Sequence, residues 1–196
     1  EMAERIAGCQ IIAFPGGFSG GDEPDGSGKF IAATFRNPRL ADAVHELLYK
    51  RDGLILGICN GFQALVKLGL LPYGEVRDLT PDSPTLTFNN INRHVSTVAE
   101  IRVASNLSPW LAGVKPGDRF KVAVSHGEGR FKADANMLAA LAAAGQIATQ
   151  YVGPDGKATM LSPYNPNGSA MAVGGVCSAS GPIFGTMGHS ECIGDN

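Results

Sequence analysis

The stretch 53-GLILGICNGFQALVKLGLL-71 decides how the chain is read, because Cys59 sits where an apolar run ends and a helical pattern begins. Leu54 to Ile58 is too short for a helix and is bounded by glycines, so it reads as a buried strand. Beyond it Phe62, Leu65, Val66, Leu68 and Leu70 keep helical spacing, and Pro72 predicts the stop near Leu71. Between the two lies Gly57-Ile58-Cys59-Asn60-Gly61, of the form G-x-C-x-G, the cysteine counterpart of a serine nucleophile elbow. A strand turning sharply into a helix brings together the residues two before and two after the turn, so side chains there would clash. The turn residue itself is held in a strained backbone conformation costing about 1–3 kcal/mol. Its sulfur is then displayed at the carboxyl end of the sheet, where open α/β sheets bind ligands. Free N–H groups at the start of the next helix point at that sulfur and predict a lowered thiol pKa.

A solitary cysteine is more commonly a small core residue than a catalytic one. The flanking glycines, with strand before and helix after, reverse that expectation for Cys59 and make it the expected nucleophile. Cys9 in the opening segment, Cys177 in an alternating strand and Cys192 near the end lack such context and read as core or surface.

Outward from the elbow, Ile11 to Phe14 is a short strand halted by the glycine-rich acidic loop 15-PGGFSGGDEPDGSG-28. A helix is predicted from Pro38, capped by Asn37, with Leu40, Val44, Leu47 and Leu48 on one face and Asp52-Gly53 at its end. Glu75 to Val103 alternates polar and apolar residues and reads as strands joined by turns. A second helix, from about Asn136 to Ala144, consists almost wholly of strong helix formers and ends at Gly145. Ile147 to Val152 is a strand, 153-GPDGK-157 a hairpin-type turn, and 171-MAVGGVCSASGPIFGTMGHSE-191 two strands around a turn. Strands alternating with helices, then late hairpins, imply an α/β domain with a mostly parallel sheet and an antiparallel extension.

At 196 residues the chain fits one domain with a single sizeable core. A net charge of −2 with scattered basic residues argues against nucleic acid or an anionic membrane as partner. No apolar run reaches the roughly 18 residues of a membrane span, and the charged start EMAERIAGCQ lacks signal-peptide order. The four cysteines form no C-x-x-C pair and the histidines have no zinc spacing, so no metal site is expected. Well-separated cysteines fit a reducing, cytoplasmic setting.

A cysteine nucleophile needs an imidazole base oriented by a third group. His45 lies within a helix and reads as a surface residue, and His94 has no evident partner. Two look-alike tripeptides remain, 126-HGE-128 and 189-HSE-191. In extended chain residues i and i+2 face the same side, so either glutamate can hold its histidine. Spacing alone does not choose between them. The loop 20-GGDEPDGSGKF-30 fails the P-loop pattern, since Glu23 and Phe30 stand where glycine and Ser/Thr are required. Its acidity also argues against phosphate, leaving a flap near the turn at 15–17, an inter-domain contact or an ordinary surface loop. The segment 88-FNNINRH-94 is structural or faces a neighbouring domain, and 165-NPNGS-169 is a tight turn, a support for the site or a domain contact.

The segments 15-PGGFSGGD-22, 57-GICNGFQ-63, 125-SHGEGR-130, 165-NPNGS-169 and 188-GHSE-191 resemble the class I (triad) glutamine amidotransferase domains of phosphoribosylformylglycinamidine (FGAM) synthase. G-I-C-N-G alone would mark only the superfamily, and the other motifs narrow it. The resemblance implies a class I glutamine amidotransferase, flavodoxin-like fold, with helices on both faces of the sheet. It implies the triad Cys59, His189 and Glu191, an oxyanion hole at Gly17 and Asn60, and glutamine contacts from Gln63, His126 and Gly127. The implied substrate is L-glutamine, hydrolysed through a cysteinyl thioester, with ammonia delivered to a synthetase domain, fused or separate, of de novo purine biosynthesis. No cofactor is implied for this domain, and ATP and Mg2+ are implied for the synthetase. Two positions depart from the family pattern: Gly188 replaces a common proline and Cys192 a common arginine. Such domains open with a further strand and helix, so the resemblance implies that residues 1–196 form the C-terminal part of a larger chain without its first βα unit. Two other readings keep the same elbow: a non-catalytic glutamine sensor or scaffold, and another cysteine hydrolase with no preference for glutamine.

Overall fold

The computed structural model describes residues 1–18 and 26–192. Its centre is a seven-stranded sheet built from β1 (Ile11–Phe14), β2 (Leu54–Ile58), β4 (Val95–Val103), β5 (Arg119–His126), β7 (Ile147–Tyr151), β8 (Val173–Cys177) and β9 (Ile183–Thr186). The strand order is β1-β2-β9-β8-β7-β4-β5, and a separate two-stranded ribbon pairs β3 (Thr85–Thr87) with β6 (Arg130–Lys132).

The helices are α1 (Met2–Gly8), α2 (Lys29–Phe35), α3 (Pro38–Lys50), α4 (Asn60–Leu68), α5 (Leu70–Tyr73) and α6 (Ala135–Ala143). Helix α3 starts as the sequence dictates, with Asn37 Oδ1 accepting the Arg39 N–H and Pro38 in the first turn. The helix expected to run to Leu71 stops at Leu68, because Gly69 adopts the left-handed conformation that caps α4, and α5 follows as one separate turn. Most of 75–94 is loop, with only β3 regular before β4, so the expected run of strands there is shorter than its alternation implied.

β1 pairs parallel with β2, and β2 parallel with β9. The remaining four pairings, β9–β8, β8–β7, β7–β4 and β4–β5, are antiparallel. The α/β class is therefore as read, but the sheet is mixed and its antiparallel part is the larger. The reason is connectivity: β8 and β9 are joined by a five-residue turn, too short for the crossover a parallel pair requires. Helices were also expected on both faces. Apolar residues of all six helices instead join one cluster with Ile55, Ile147, Val176 and Ile183. The opposite face carries Ala148, Cys177 and Phe184 with Leu56 beside them, covered by Trp110 and Leu111. Trp110 and Leu111 come from the 3-10 turn Pro109–Leu111, anchored where the Trp110 indole donates to the Pro182 carbonyl. Hairpin turns place no helix over a face, whereas the β1-to-β2 crossover places two, α2 and α3.

This topology gathers the site. Phe14 pairs with Gly57, and Ile58 with Thr186, so β1, β2 and β9 end at one edge and release 15–17, Cys59 and 187–189 side by side. β5 lies at the far end of the strand order, yet its Ala123 carbonyl accepts the His189 N–H at 2.8 Å. A Cβ on Gly188 would stand 2.7 Å from Val122 Cγ2, so glycine at this position lets the chain after β9 lie flat on β5. Among the described residues, no helix is long and apolar enough to cross a membrane.

Candidate active site

The elbow has the steric form that its glycines imply. Cys59 has φ 51° and ψ −105°, a left-side backbone conformation that is strained for a residue with a Cβ. A Cβ on Gly57 would lie 2.9 Å from the Gly61 carbonyl carbon and 2.5 Å from Leu65 Cδ1. One on Gly61 would lie only 2.0 Å from the Phe14 carbonyl oxygen. The strain at Cys59, about 1–3 kcal/mol, is held by complete burial of Ile55, Leu65 and Phe62 around it. Each such side chain contributes about 1.5–3 kcal/mol by burial, so the packing outweighs the distortion.

Cys59, Gln63, Ser125, His126, Gly127, His189, Gly17, Phe18 and Ser27 enclose a cavity of about 170 Å³. The sequence reading named Cys59, Gln63, His126, Gly127, His189 and Gly17 among these. Asn60 and Glu191 stand directly behind Cys59 and His189. His189 Nδ1 lies 2.7 Å from Glu191 Oε1. The rival pair is built differently: Glu128 does not face His126, and its carboxylate accepts the Ser27 N–H at 3.1 Å. His126 Nδ1 meets Asn89 Oδ1 instead, at 3.2 Å. The geometry thus distinguishes two tripeptides that spacing left equivalent.

Gly17 lines the cavity with φ 114° and open space where a Cβ would go, which suits a backbone N–H turned toward a ligand. Its neighbour Gly16 was not singled out from sequence. A Cβ there would stand 2.5 Å from His189 Cε1 and 3.3 Å from Cys59 Cβ. Gly16 is therefore the spacer that lets imidazole and thiol share one pocket, and the doubled glycine of 15-PGG-17 was the available signal. Gln63 donates its amide to the Glu128 carbonyl, tying α4 to the loop after β5.

The expected lowering of the Cys59 thiol pKa is not found. Burial pushes it up to about 11, the Asn60 backbone N–H opposes this, and the Glu191 charge adds to it. A helix terminus is worth about 0.3–1 kcal/mol, less than one pKa unit, while desolvation is worth several units, so burial wins. The resting thiol accordingly donates to the Ser125 carbonyl, at 3.8 Å. His126 moves the other way: burial drives it down to about 4, helped by repulsion from His94 and His189.

A polar frame supplied by 165-NPNGS-169, one of whose expected roles was support of the site, holds the wall from His126 to Phe131. Asn167 donates to the Gly129 carbonyl at 2.7 Å, and the Phe131 N–H donates to Ser169 Oγ at 3.0 Å. Asn165 Oδ1 accepts the N–H groups of Gly168 and Ser169. The N-P-N-G-S motif is thus a buried clamp behind the pocket, more than a surface turn. Residues 19–25 of the acidic loop, where a flap was expected, lie outside the described residues. The segment just after them is anchored, since a Cβ on Gly28 would meet Ala64 N at 2.5 Å. His45, expected at the surface, accepts the Val76 N–H through Nε2, and His94 bonds Ser125 Oγ at 2.9 Å. Among the described residues, His189, Glu191 and Cys192 offer potential metal-ligand atoms within 4.8 Å of one another, but Glu191 already engages the His189 Nδ1.

A thiol on a strand–helix elbow, beside a carboxylate-held imidazole in a mixed α/β sheet, defines a protein of the cysteine-dependent acyl-transfer class. The chain belongs to the family of CobB/CobQ-like glutamine amidotransferase domains, whose profile matches residues 1–196. It is 34% identical over 195 residues to the phosphoribosylformylglycinamidine synthase subunit PurQ of Gloeobacter violaceus, covering 98% of this chain and 75% of that protein. To the subunit of the same name from Dehalococcoides mccartyi it is 37% identical over 188 residues, covering 95% and 69%. Among solved structures it is similar to PurLQS from Thermotoga maritima, with a TM-score of 0.66 and 26% identity over 92% of this chain and 68% of that one. The glutaminase domain of Trypanosoma brucei CTPS with bound acivicin shares the fold, with a TM-score of 0.53 and 13% identity over 99% of this chain and 68% of that one.

Proposed function

We propose that this chain is the glutaminase of phosphoribosylformylglycinamidine synthase, releasing ammonia from L-glutamine for a partner synthetase. The observation that carries the reading is the convergence of Cys59 and the His189–Glu191 pair on one cavity at the carboxyl ends of β2 and β9.

In this reading the Cys59 sulfur attacks the side-chain amide carbon of glutamine while its proton passes to His189. Because burial holds the resting thiol protonated, thiolate forms only as that transfer occurs, so the free enzyme carries little standing nucleophile. The oxyanion meets the backbone N–H groups of Asn60 and Gly17, each such donor being worth about 2.7–4 kcal/mol. His189, now imidazolium and steadied by Glu191, gives its proton to the departing nitrogen, which leaves as ammonia. A glutamyl thioester on Cys59 remains. His189 then takes a proton from water as it attacks the thioester, and returns it to the sulfur as glutamate leaves. Gln63, His126 and Gly127 shape the pocket for the amino acid. No cofactor is needed for these steps, and the ATP and magnesium chemistry belongs to the partner synthetase.

The test uses the complex with the synthetase subunit. Cys59→Ala is expected to abolish amidine formation from glutamine while leaving formation from added ammonium salts intact. Loss of both would place Cys59 in a structural role, and retention of both would remove it from the reaction.

A further inference from the structure

Among the described residues, one buried atom of a side chain that lines the pocket has no partner: Nε2 of His126, a residue 3% exposed. Leaving a buried acceptor or donor unpaired is costly, so the identity of its missing partner matters. The answer runs through Asn89, which is 1% exposed and uses every polar group it has. Its backbone N–H donates to the Gly127 carbonyl, and its own carbonyl accepts the Asn92 N–H. Its side-chain NH2 donates to the carbonyls of His126 at 2.8 Å and Arg93 at 3.0 Å. Its Oδ1 accepts the Gly129 N–H at 3.1 Å and faces His126 Nδ1 at 3.2 Å. Turning the amide round would set oxygen against two carbonyls and NH2 against an N–H donor. One orientation alone is therefore satisfied, and in it the group facing Nδ1 is an acceptor.

His126 Nδ1 must then carry the hydrogen, and Nε2 the lone pair. Resting on the glutaminase reading above, we propose that Asn89 is a positioning residue that locks His126 in its Nδ1–H tautomer, so that Nε2 accepts a hydrogen bond from an N–H of bound glutamine. Burial keeps the ring neutral, reinforced by His94 and His189, so Nε2 stays an acceptor at neutral pH. Gly129 seats the ring, since a Cβ there would come within 2.3 Å of His126 Cε1. In the opposite tautomer Nε2 would present a hydrogen to the ligand and meet glutamine's N–H groups donor to donor. Asn89 thereby acts on substrate recognition from outside the cavity, through a ring it orients but does not share with the reacting atoms.

The experiment is a histidine-selective nitrogen-15 NMR spectrum of the full-length protein at neutral pH, with His126→Ala for assignment. His126 is expected to show hydrogen on Nδ1 and an unprotonated Nε2, and the Nε2 resonance is expected to shift when L-glutamine is added to Cys59→Ser protein. In Asn89→Asp a carboxylate faces Nδ1, favouring the imidazolium and turning Nε2 into a donor. Glutamine KM in the synthetase complex is then expected to rise about tenfold or more, with Cys59 alkylation by iodoacetamide unchanged within about twofold. Hydrogen on Nε2 in the wild-type spectrum, an Nε2 resonance indifferent to bound glutamine, or an unchanged KM in Asn89→Asp would each overturn the proposal. The wild-type spectrum decides the tautomer even if the variant fails to fold. The tautomer as stated with no glutamine binding at all would instead overturn the functional reading and leave the lock supported.

Discussion

His189 Nδ1 lies 2.7 Å from Glu191 Oε1, whereas Glu128, placed identically after His126 in the sequence, turns its carboxylate to the Ser27 backbone. Two tripeptides of the same spacing thus have different chemistry, and the difference predicts different kinetic defects. His189→Ala is expected to lower kcat by at least about a hundredfold, in the range of a lost general base. His126→Ala is expected to raise KM with a smaller loss in kcat. Steady-state glutaminase assays of the synthetase complex separate the two. Loss of thioester formation in His126→Ala with sparing in His189→Ala would reverse the assignment.

Gly16 offers a test of packing without chemistry. An alanine there places a methyl 2.5 Å from His189 Cε1, and the imidazole must move to admit it. Activity is expected to fall about a hundredfold, as for small misplacements of reacting groups, while the melting temperature changes little. Gly61→Ala should do the opposite, because its Cβ meets the Phe14 carbonyl oxygen at 2.0 Å. That strains β1 against α4 and is expected to cost about 1–3 kcal/mol or more of stability by denaturant unfolding.

The elbow itself was legible because its signal is steric and local. Gly57 is required by contacts with Gly61, Phe62 and Leu65, all within a few residues of Cys59, and a strand of five residues ending in a glycine turn has few other solutions; Gly61, by contrast, is required by Phe14 of the neighbouring strand. The mixed sheet was less legible. β4 and β5 announce their alternation, but nothing local says that they pair with each other and with β7, which depends on contacts up to 50 residues apart. The thiol's raised pKa was misjudged for a related reason. A helix N-terminus is visible in sequence, while the desolvation comes from burial among segments that only the fold brings together, Ser125 and His189 among those at the pocket. The role of Asn89 was not legible because it lies in four side-chain hydrogen bonds to three residues, of which Arg93 alone is a near neighbour in the chain.

Resting Cys59 should behave as a protonated thiol. With its pKa pushed up to about 11, the thiolate fraction at neutral pH is small and grows about tenfold per pH unit. Iodoacetamide alkylation of free enzyme is therefore expected to accelerate steadily from pH 7 through pH 10. A plateau reached below pH 7 would mean a standing thiolate.

His126 links folding to acid. Its pKa falls from 6.5 in the unfolded chain to about 4 in the fold, so between these values the unfolded chain binds the extra proton. Stability then rises with pH across that window and is lost as pH falls from about 6.5 toward 4, by about 3 kcal/mol for a group this deeply buried. Urea unfolding of wild type against His126→Gln at several pH values reads this out: the variant should lack that part of the acid slope. Equal slopes would show that His126 is already charged in the native state.

Central to the proposed reaction is that Cys59 Sγ is the atom to which the glutamyl group becomes attached. The most direct measurement is peptide mass spectrometry after exposing the complex to an electrophilic glutamine analogue, with glutamine as competitor. One adduct is expected, on the peptide bearing Cys59, suppressed by glutamine and absent in Cys59→Ser. An adduct on Cys9, Cys177 or Cys192 in its place, or glutamine binding with no adduct at Cys59, would contradict it.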